Sequence, residues 1–178
     1  VSDETFSLDQ LYDAIEQHLQ AHLPGVEAVA FWPQIEENQG IPLPSVFLEL
    51  TQMEPAQDIG TGETALKCTI EARIIVDPIR SAHHQQAMQL ASQLAVLLRA
   101  QSWGLAVDPA EFVQATQDWT RPELDGYTVW LVEWTQTVYL GTEQWPWPDQ
   151  PPGTLVFGFN HDTGPGHEAD YIKPEELQ

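Results

Sequence analysis

The sequence predicts an α+β fold of a single domain. An antiparallel-rich mixed sheet is covered by two helices, in the order αβββαββ, and an extended C-terminal tail follows. Three observations carry this expectation. Leu66, Cys68, Ile70, Ala72, Ile74 and Val76 alternate with Lys67, Thr69, Glu71, Arg73 and Ile75, the two-residue period of a half-buried strand. Two other stretches repeat apolar residues at helical spacing instead. After Gly141 the composition turns rich in Pro, Gly and Trp, which separates a domain over 1–141 from an extension over 142–178.

The first helix is expected over 8–23. Ser7-Leu-Asp-Gln10 has capping-box form, with a hydroxyl at the cap and an amide three residues on. Leu8, Leu11, Tyr12, Ile15, Leu19 and Leu23 form its apolar stripe, and Pro24-Gly25 ends it. Strands follow over 26–32 and 46–52, then the alternating strand over 66–76. Between the last two, the polar run over 54–62 predicts a long hairpin loop or extended arm. Ala87, Leu90, Ala91, Leu94, Leu97 and Leu98 place a second helix over 81–101, closed by Trp103-Gly104. Strands over 112–120 and 127–140 complete the sheet, with Asp125-Gly126 as a turn signal between them.

Charge narrows the classes of partner. The 178 residues carry 27 acids against 6 basic residues, a formal net charge of -21, and twelve acids precede the first cation, Lys67. Binding to nucleic acid draws on a basic patch that releases counterions from phosphates, and six scattered cations do not supply one. An anionic membrane surface is disfavoured for the same reason, and no apolar run approaches the roughly 20 residues that span a bilayer. Val1-Ser-Asp-Glu lacks the basic and apolar regions of a signal peptide, so synthesis and folding in the cytosol are expected. Cys68 is the only cysteine, which excludes an intrachain disulfide and marks it as a core thiol.

Motifs for chemistry are missing. Gly60-Thr-Gly62 lacks the lysine and the helix of a phosphate loop, and neither a G-x-S-x-G elbow nor an H-E-x-x-H helix occurs. His83-His84 are adjacent, so their side chains diverge around a helix and read as surface residues. His18 and His22 are four apart, a metal-competent spacing, but no third ligand stands beside them. The mixture His161, Asp162, His167, Glu168 and Asp170 fits no defined metal loop. The expectation is a protein that is not an enzyme, with no catalytic residue, no cofactor and no metal.

The last strand reads Thr128-Val-Trp-Leu-Val-Glu-Trp-Thr-Gln-Thr-Val-Tyr-Leu-Gly141 and ends in a W-x-Q-x-(V/I)-Y-L-G phrase. This phrase resembles the closing strand of phage tail-completion proteins, the tail terminator family in particular. Leu11-Tyr-Asp-Ala-Ile-Glu16 leading to Leu23-Pro-Gly-Val26 is similar to that family too. So is Cys68-Thr-Ile-Glu-Ala-Arg-Ile-Ile-Val76 before a helix of Ala, Gln and Leu. The resemblance covers 7–141. It implies a homo-oligomeric ring, most often of six subunits, at the tail–neck junction of a virion assembled in the host cytoplasm. Such a ring caps the tail tube protein, meets the neck or connector protein and in some particles the sheath protein, and lets DNA pass without specific binding.

On this expectation Glu54, Asp58 and Glu63 of the arm are candidates for subunit or lumen contacts. Trp145 and Trp147 of the tail are candidates for docking on a neighbour. Two other readings fit the same composition. One is another neck, head-completion or minor tail component. The other is an acidic module that mimics DNA and binds a basic protein.

Overall fold

The computed structural model describes residues 6–33, 40–144, 156–157, 166 and 171–173. The chain divides into two compact units, Val1–Trp145 and Pro146–Gln178. In the first, the alternating stretch is strand β3 (Thr64–Val76), and it lies at the centre of a five-stranded sheet. The other strands are β1 (Ala28–Phe31), β2 (Ser45–Pro55), β4 (Glu111–Gln117) and β5 (Thr128–Leu140). Their spatial order is β1-β2-β3-β5-β4; β1 runs parallel to β2 and every other pairing is antiparallel. In the second unit, Phe157 and Ile172 form an isolated antiparallel bridge.

Helices α1 (Leu8–His22) and α2 (His83–Leu97) supply the apolar stripes read from the sequence. Leu11, Ile15 and Leu19 of α1 and Ala87, Leu90, Ala91 and Leu94 of α2 join Val46, Leu48, Cys68, Ile70, Ala72, Ile74, Val132, Trp134 and Val138 in one core. Both helices therefore serve the same face of the sheet. The capping box forms as expected: Gln10 N–H donates to Ser7 Oγ, and Ser7 N–H donates to Gln10 Oε1 at 3.0 Å. Cys68 is fully buried, and loss of solvation pushes its thiol pKa up, away from a reactive thiolate.

Several boundaries differ from the expected ones, each for a local reason. Glu54 is not in the loop: β2 continues through Pro55, with Glu54 opposite Lys67 and Pro55 opposite Leu66. A bulge at Thr51 shifts the register and lets the strand run on, so the arm is a longer hairpin with a shorter tip. Helix α2 is shorter than 81–101. Ala82 enters it at φ 62° without a side-chain cap, and beyond Leu97 the turns tighten as Arg99 N–H reaches Val96 O. Strand β4 stops at Gln117, and the next residue, Asp118, turns its carboxylate inward to Arg73. Gly126, at φ +92°, occupies a backbone region that favours glycine in the turn before β5.

The larger difference lies on the second face of β3, which is not simply wet. Its far end is buried on both sides: Ile75 is fully covered and packs with Leu124 and Val129, joined by Ile41, Leu43, Phe47 and Tyr127. Beside it the Arg73 guanidinium, 7 % exposed, meets three carboxylates: Asp118 at 2.8 Å, Glu49 at 2.7 Å and Glu71 at 2.5 Å. Arg121 joins from the connection between β4 and β5 by bonding Glu49. Asp118 in turn accepts from Thr120 N–H and Oγ–H. This network ties the connection carrying the short 3-10 helix (Pro122–Leu124) to the sheet.

Removing one partner of a buried charge cluster leaves uncompensated charge, at a cost of about 3–5 kcal/mol. Arg73→Met is expected to lose that much in chemical denaturation, and Arg73→Lys less, since one ammonium cannot bond three carboxylates at once. Burial raises the Asp118 pKa, but hydrogen bonds from Thr120 and the Arg73 pairing outweigh it and hold the carboxyl below its ordinary value of 3.8. Its stabilisation is therefore full above that value and is lost as pH falls below it. A denaturation series from pH 5 to pH 2 checks this, with Asp118→Asn expected to flatten the acid limb.

Candidate assembly surface

A sheet exposes unpaired backbone at its two edges, and here the edges are treated differently. At the β1 edge the strand is only four residues long, and Phe31 N–H donates to the Glu16 carboxylate of α1 at 2.5 Å. Tyr12 packs on Phe31 and Trp32, with ring centroids 4.5 and 4.8 Å apart, which holds α1 against that strand. The edge is thus short and its outward donor is used, a common way of blocking further pairing.

The β4 edge has neither protection. Its first four residues, Glu111, Phe112, Val113 and Gln114, are exposed, and Phe112 and Val113 each keep 48 % of their surface open. No described residue pairs with its outer side. The strand carries one charge, Glu111, and Lys67 neutralises it at 3.0 Å. That hydrogen bond and charge hold the Glu111 carboxyl below its ordinary range. An exposed pair of this kind adds little stability. Its consequence is electrostatic: in a chain of net charge -21, the single acid of this seven-residue edge is paired with a lysine of β3. A bulge at Val113 offsets the register with β5, which restricts the strands that can pair there.

The sequence-predicted contact residues fall in different places. Glu54 sits on β2, exposed, in register with Lys67 on the face away from the helices. Asp58 is at the hairpin tip, where its carboxylate accepts from Gly60 N–H at 2.7 Å. Glu63 is half-buried and accepts from Thr61 Oγ at 2.9 Å, so both acids shape the loop that carries them. Met53 and Ile59 of the same hairpin are exposed at 52 % and 53 %. Gln144 N–H bonds Thr61 O at 2.8 Å, so the chain leaving β5 crosses the tip. Gly62 is required there, because a Cβ would come within 2.7 Å of the Gln144 side chain. Trp145 and Trp147 lie outside the described residues.

The histidines are also partly re-placed. His83 and His84 do not diverge: their rings are 4.1 Å apart at the start of α2, and His83 Nδ1 meets Thr128 Oγ at 2.6 Å. His18 and His22 stack at 4.2 Å. Among the described residues no three His, Cys, Asp or Glu gather in a metal-binding group. His161, Asp162, His167, Glu168 and Asp170 lie outside the described residues.

The β4 edge was not singled out in the sequence. Its signal was present in Phe112-Val113 on a strand with a single charge, but edge position depends on strand order, which periodicity does not give. No protein-family model matches the chain, and no curated protein matches it significantly.

Placing a lysine on the open edge tests its role. Val113→Lys changes an exposed side chain and is expected to alter folding stability by no more than about 0.5 kcal/mol. Edge lysines oppose strand pairing, so it is also expected to abolish any self-association that uses this edge. Denaturation midpoints and sedimentation in high salt measure the two effects, and unchanged association would remove β4 from the interface.

Proposed function

We propose that the chain is a structural subunit of a phage tail, a tail terminator that closes into a ring on the end of the tail tube. The observation that carries this reading is the pair of unequal sheet edges: one sealed by Glu16, the other open, weakly apolar and with its single acid paired to Lys67. In a ring this edge meets a different patch of the next copy, a heterologous contact whose repetition closes when the rotation is cyclic. The exposed Met53 and Ile59 of the β2–β3 hairpin supply apolar surface for the other half of that contact. The resemblance of β5, through Trp134-Thr-Gln-Thr-Val-Tyr-Leu-Gly141, adds the family expectation of six subunits.

In this reading the ring sits at the tail–neck junction of the virion. It meets the tail tube protein on one side and the neck or connector protein on the other, with the sheath protein a further neighbour in a contractile tail. Acidic side chains facing the lumen repel DNA phosphates and let the duplex pass without adhering. No catalytic step, cofactor or metal is assigned to the subunit. A role as another neck or minor tail component shares the self-assembly, whereas a DNA-mimicking acidic module has no need of it.

Charge makes the test specific. Like charges on neighbouring copies oppose closure, and salt shortens the Debye length from roughly 10 Å at 0.1 M to roughly 3 Å at 1 M. Raising salt is expected to convert monomer to a closed oligomer, six copies by mass. A chain that stays monomeric at high concentration in 1 M salt, and forms no ring on tail tubes, contradicts the reading. Truncation after Gln144 keeps every element of the first unit's sheet and removes Trp145 and Trp147, whose burial on a neighbour contributes about 2–3 kcal/mol each. The truncated chain is expected to fold at near-parental stability and to assemble poorly; outright unfolding would mean that the tail serves its own core.

A further inference from the structure

We propose that His18 is a pH-released latch joining helix α1 to the connection between α2 and β4. The inference comes from counting donors and acceptors. Trp103 N–H donates to Gln101 Oε1 at 2.8 Å, which fixes the orientation of the Gln101 amide and turns its NH2 toward His18. Gln101 Nε2 stands 3.1 Å from His18 Nε2. With a donor already on the glutamine side, His18 Nε2 must be the acceptor. Its ring is then neutral, with the proton on Nδ1.

The main chain of Gln101 belongs to a wider network that holds the connection in place, while the Trp103 N–H alone sets the orientation of its side-chain amide. Trp103 Nε1–H donates to Gln136 Oε1 at 2.8 Å. Gln136, 1 % exposed on β5, donates from Nε2 to Asp108 O at 2.8 Å and to Gln101 O at 3.3 Å. Ala110 N–H also bonds Gln101 O, at 2.8 Å. Flipping Gln101 would set its NH2 against the Trp103 N–H. His18 is therefore the one adjustable member, and its ring edge rests against the Trp103 indole at 5.3 Å.

Protonation of His18 places two N–H donors 3.1 Å apart with no acceptor between them, and the latch opens. Its neighbours do not offset the new charge. His22, stacked on it from the same helix, bonds His18 O through Nδ1 at 2.8 Å and offers no carboxylate. The connection packed against the ring presents Gln101 and Trp103, both uncharged. Arg99 of that connection is exposed, and the Asp108 carboxylate accepts from Tyr139 Oη–H instead. From β5 the network receives only the neutral amide of Gln136.

Burial, and after it His22, holds the His18 pKa below the ordinary 6.5. A histidine with a depressed folded pKa stabilises the latched form fully above the ordinary value. That contribution is lost as pH falls from 6.5 toward the lower, folded value. The window is well above that of Asp118, so the two acid effects separate.

The experiment uses the full chain. Long-range nitrogen–proton NMR at pH 8 is expected to show His18 as the Nδ1–H tautomer. Between pH 7.5 and 5.5, hydrogen-exchange protection of the Trp103 and Ala110 amides, corrected for intrinsic exchange, is expected to fall. His18→Gln puts a neutral acceptor near the Nε2 position and is expected to keep that protection at pH 5.5, whereas His22→Gln retains the fall. An Nε2–H tautomer for His18 at pH 8 overturns the latch, and so does an undiminished loss of protection in His18→Gln. Should His18→Gln fail to fold, the tautomer measurement on the parent chain decides alone.

Discussion

Thirteen consecutive residue pairs join β3 to β5, from Thr64 opposite Leu140 to Val76 opposite Thr128, with no bulge in the run. This uninterrupted register is the constraint on which the rest of the molecule depends. A slip of one residue would send every side chain of one strand to the other face. It places Trp134, Val132 and Val138 under the helices and Gln136 beneath Trp103. On the second face it sets Arg73 and Ile75 beside Val129 and Leu131, where the connection from β4 covers them. The two bulges, at Thr51 and Val113, occur where the outer strands meet this central pair, so irregularity is confined to the flanks.

Acidity acts on a different level from the fold. The six cations cannot neutralise 27 acids, and three of the six are committed to bridges on one face of the sheet. Arg73 and Arg121 hold the β4–β5 connection down, while Lys67 quiets the one acid of the open edge. What results is an uneven distribution: the one acid of β4 is paired with Lys67, and α2 carries no Asp, Glu, Lys or Arg at all. High net charge of one sign favours solubility and opposes close approach of like molecules.

Much of the fold was legible because it rests on local rules. The capping box at Ser7 and Gln10, the stripes of α1 and α2, and the alternation along β3 each declare themselves in adjacent residues. Features that depend on tertiary neighbours were not legible. The polar face of β3 looked wet because Arg73 and Glu71 are charged, yet Arg73 is buried by residues 45 positions away in Asp118 and 24 away in Glu49. The extra length of β2 through Pro55 was hidden by a polar composition that resembles a loop. Of the site, the arm was found and its acids named, but Asp58 and Glu63 turn out to bond their own loop. The open edge of β4 required the strand order, and the closeness of the His83 and His84 rings required their side-chain conformations.

The central claim is that copies of this chain meet along β4, and backbone protection reads that contact without disturbing it. Amide exchange of residues 111–117 is to be compared between monomer at low salt and the assembled species at high salt. The account predicts that outward-facing amides of β4 become protected on assembly, while the amides of β1, where Glu16 already bonds Phe31, change little. Assembly that leaves β4 exchange unaltered and protects the β1 edge instead would contradict it.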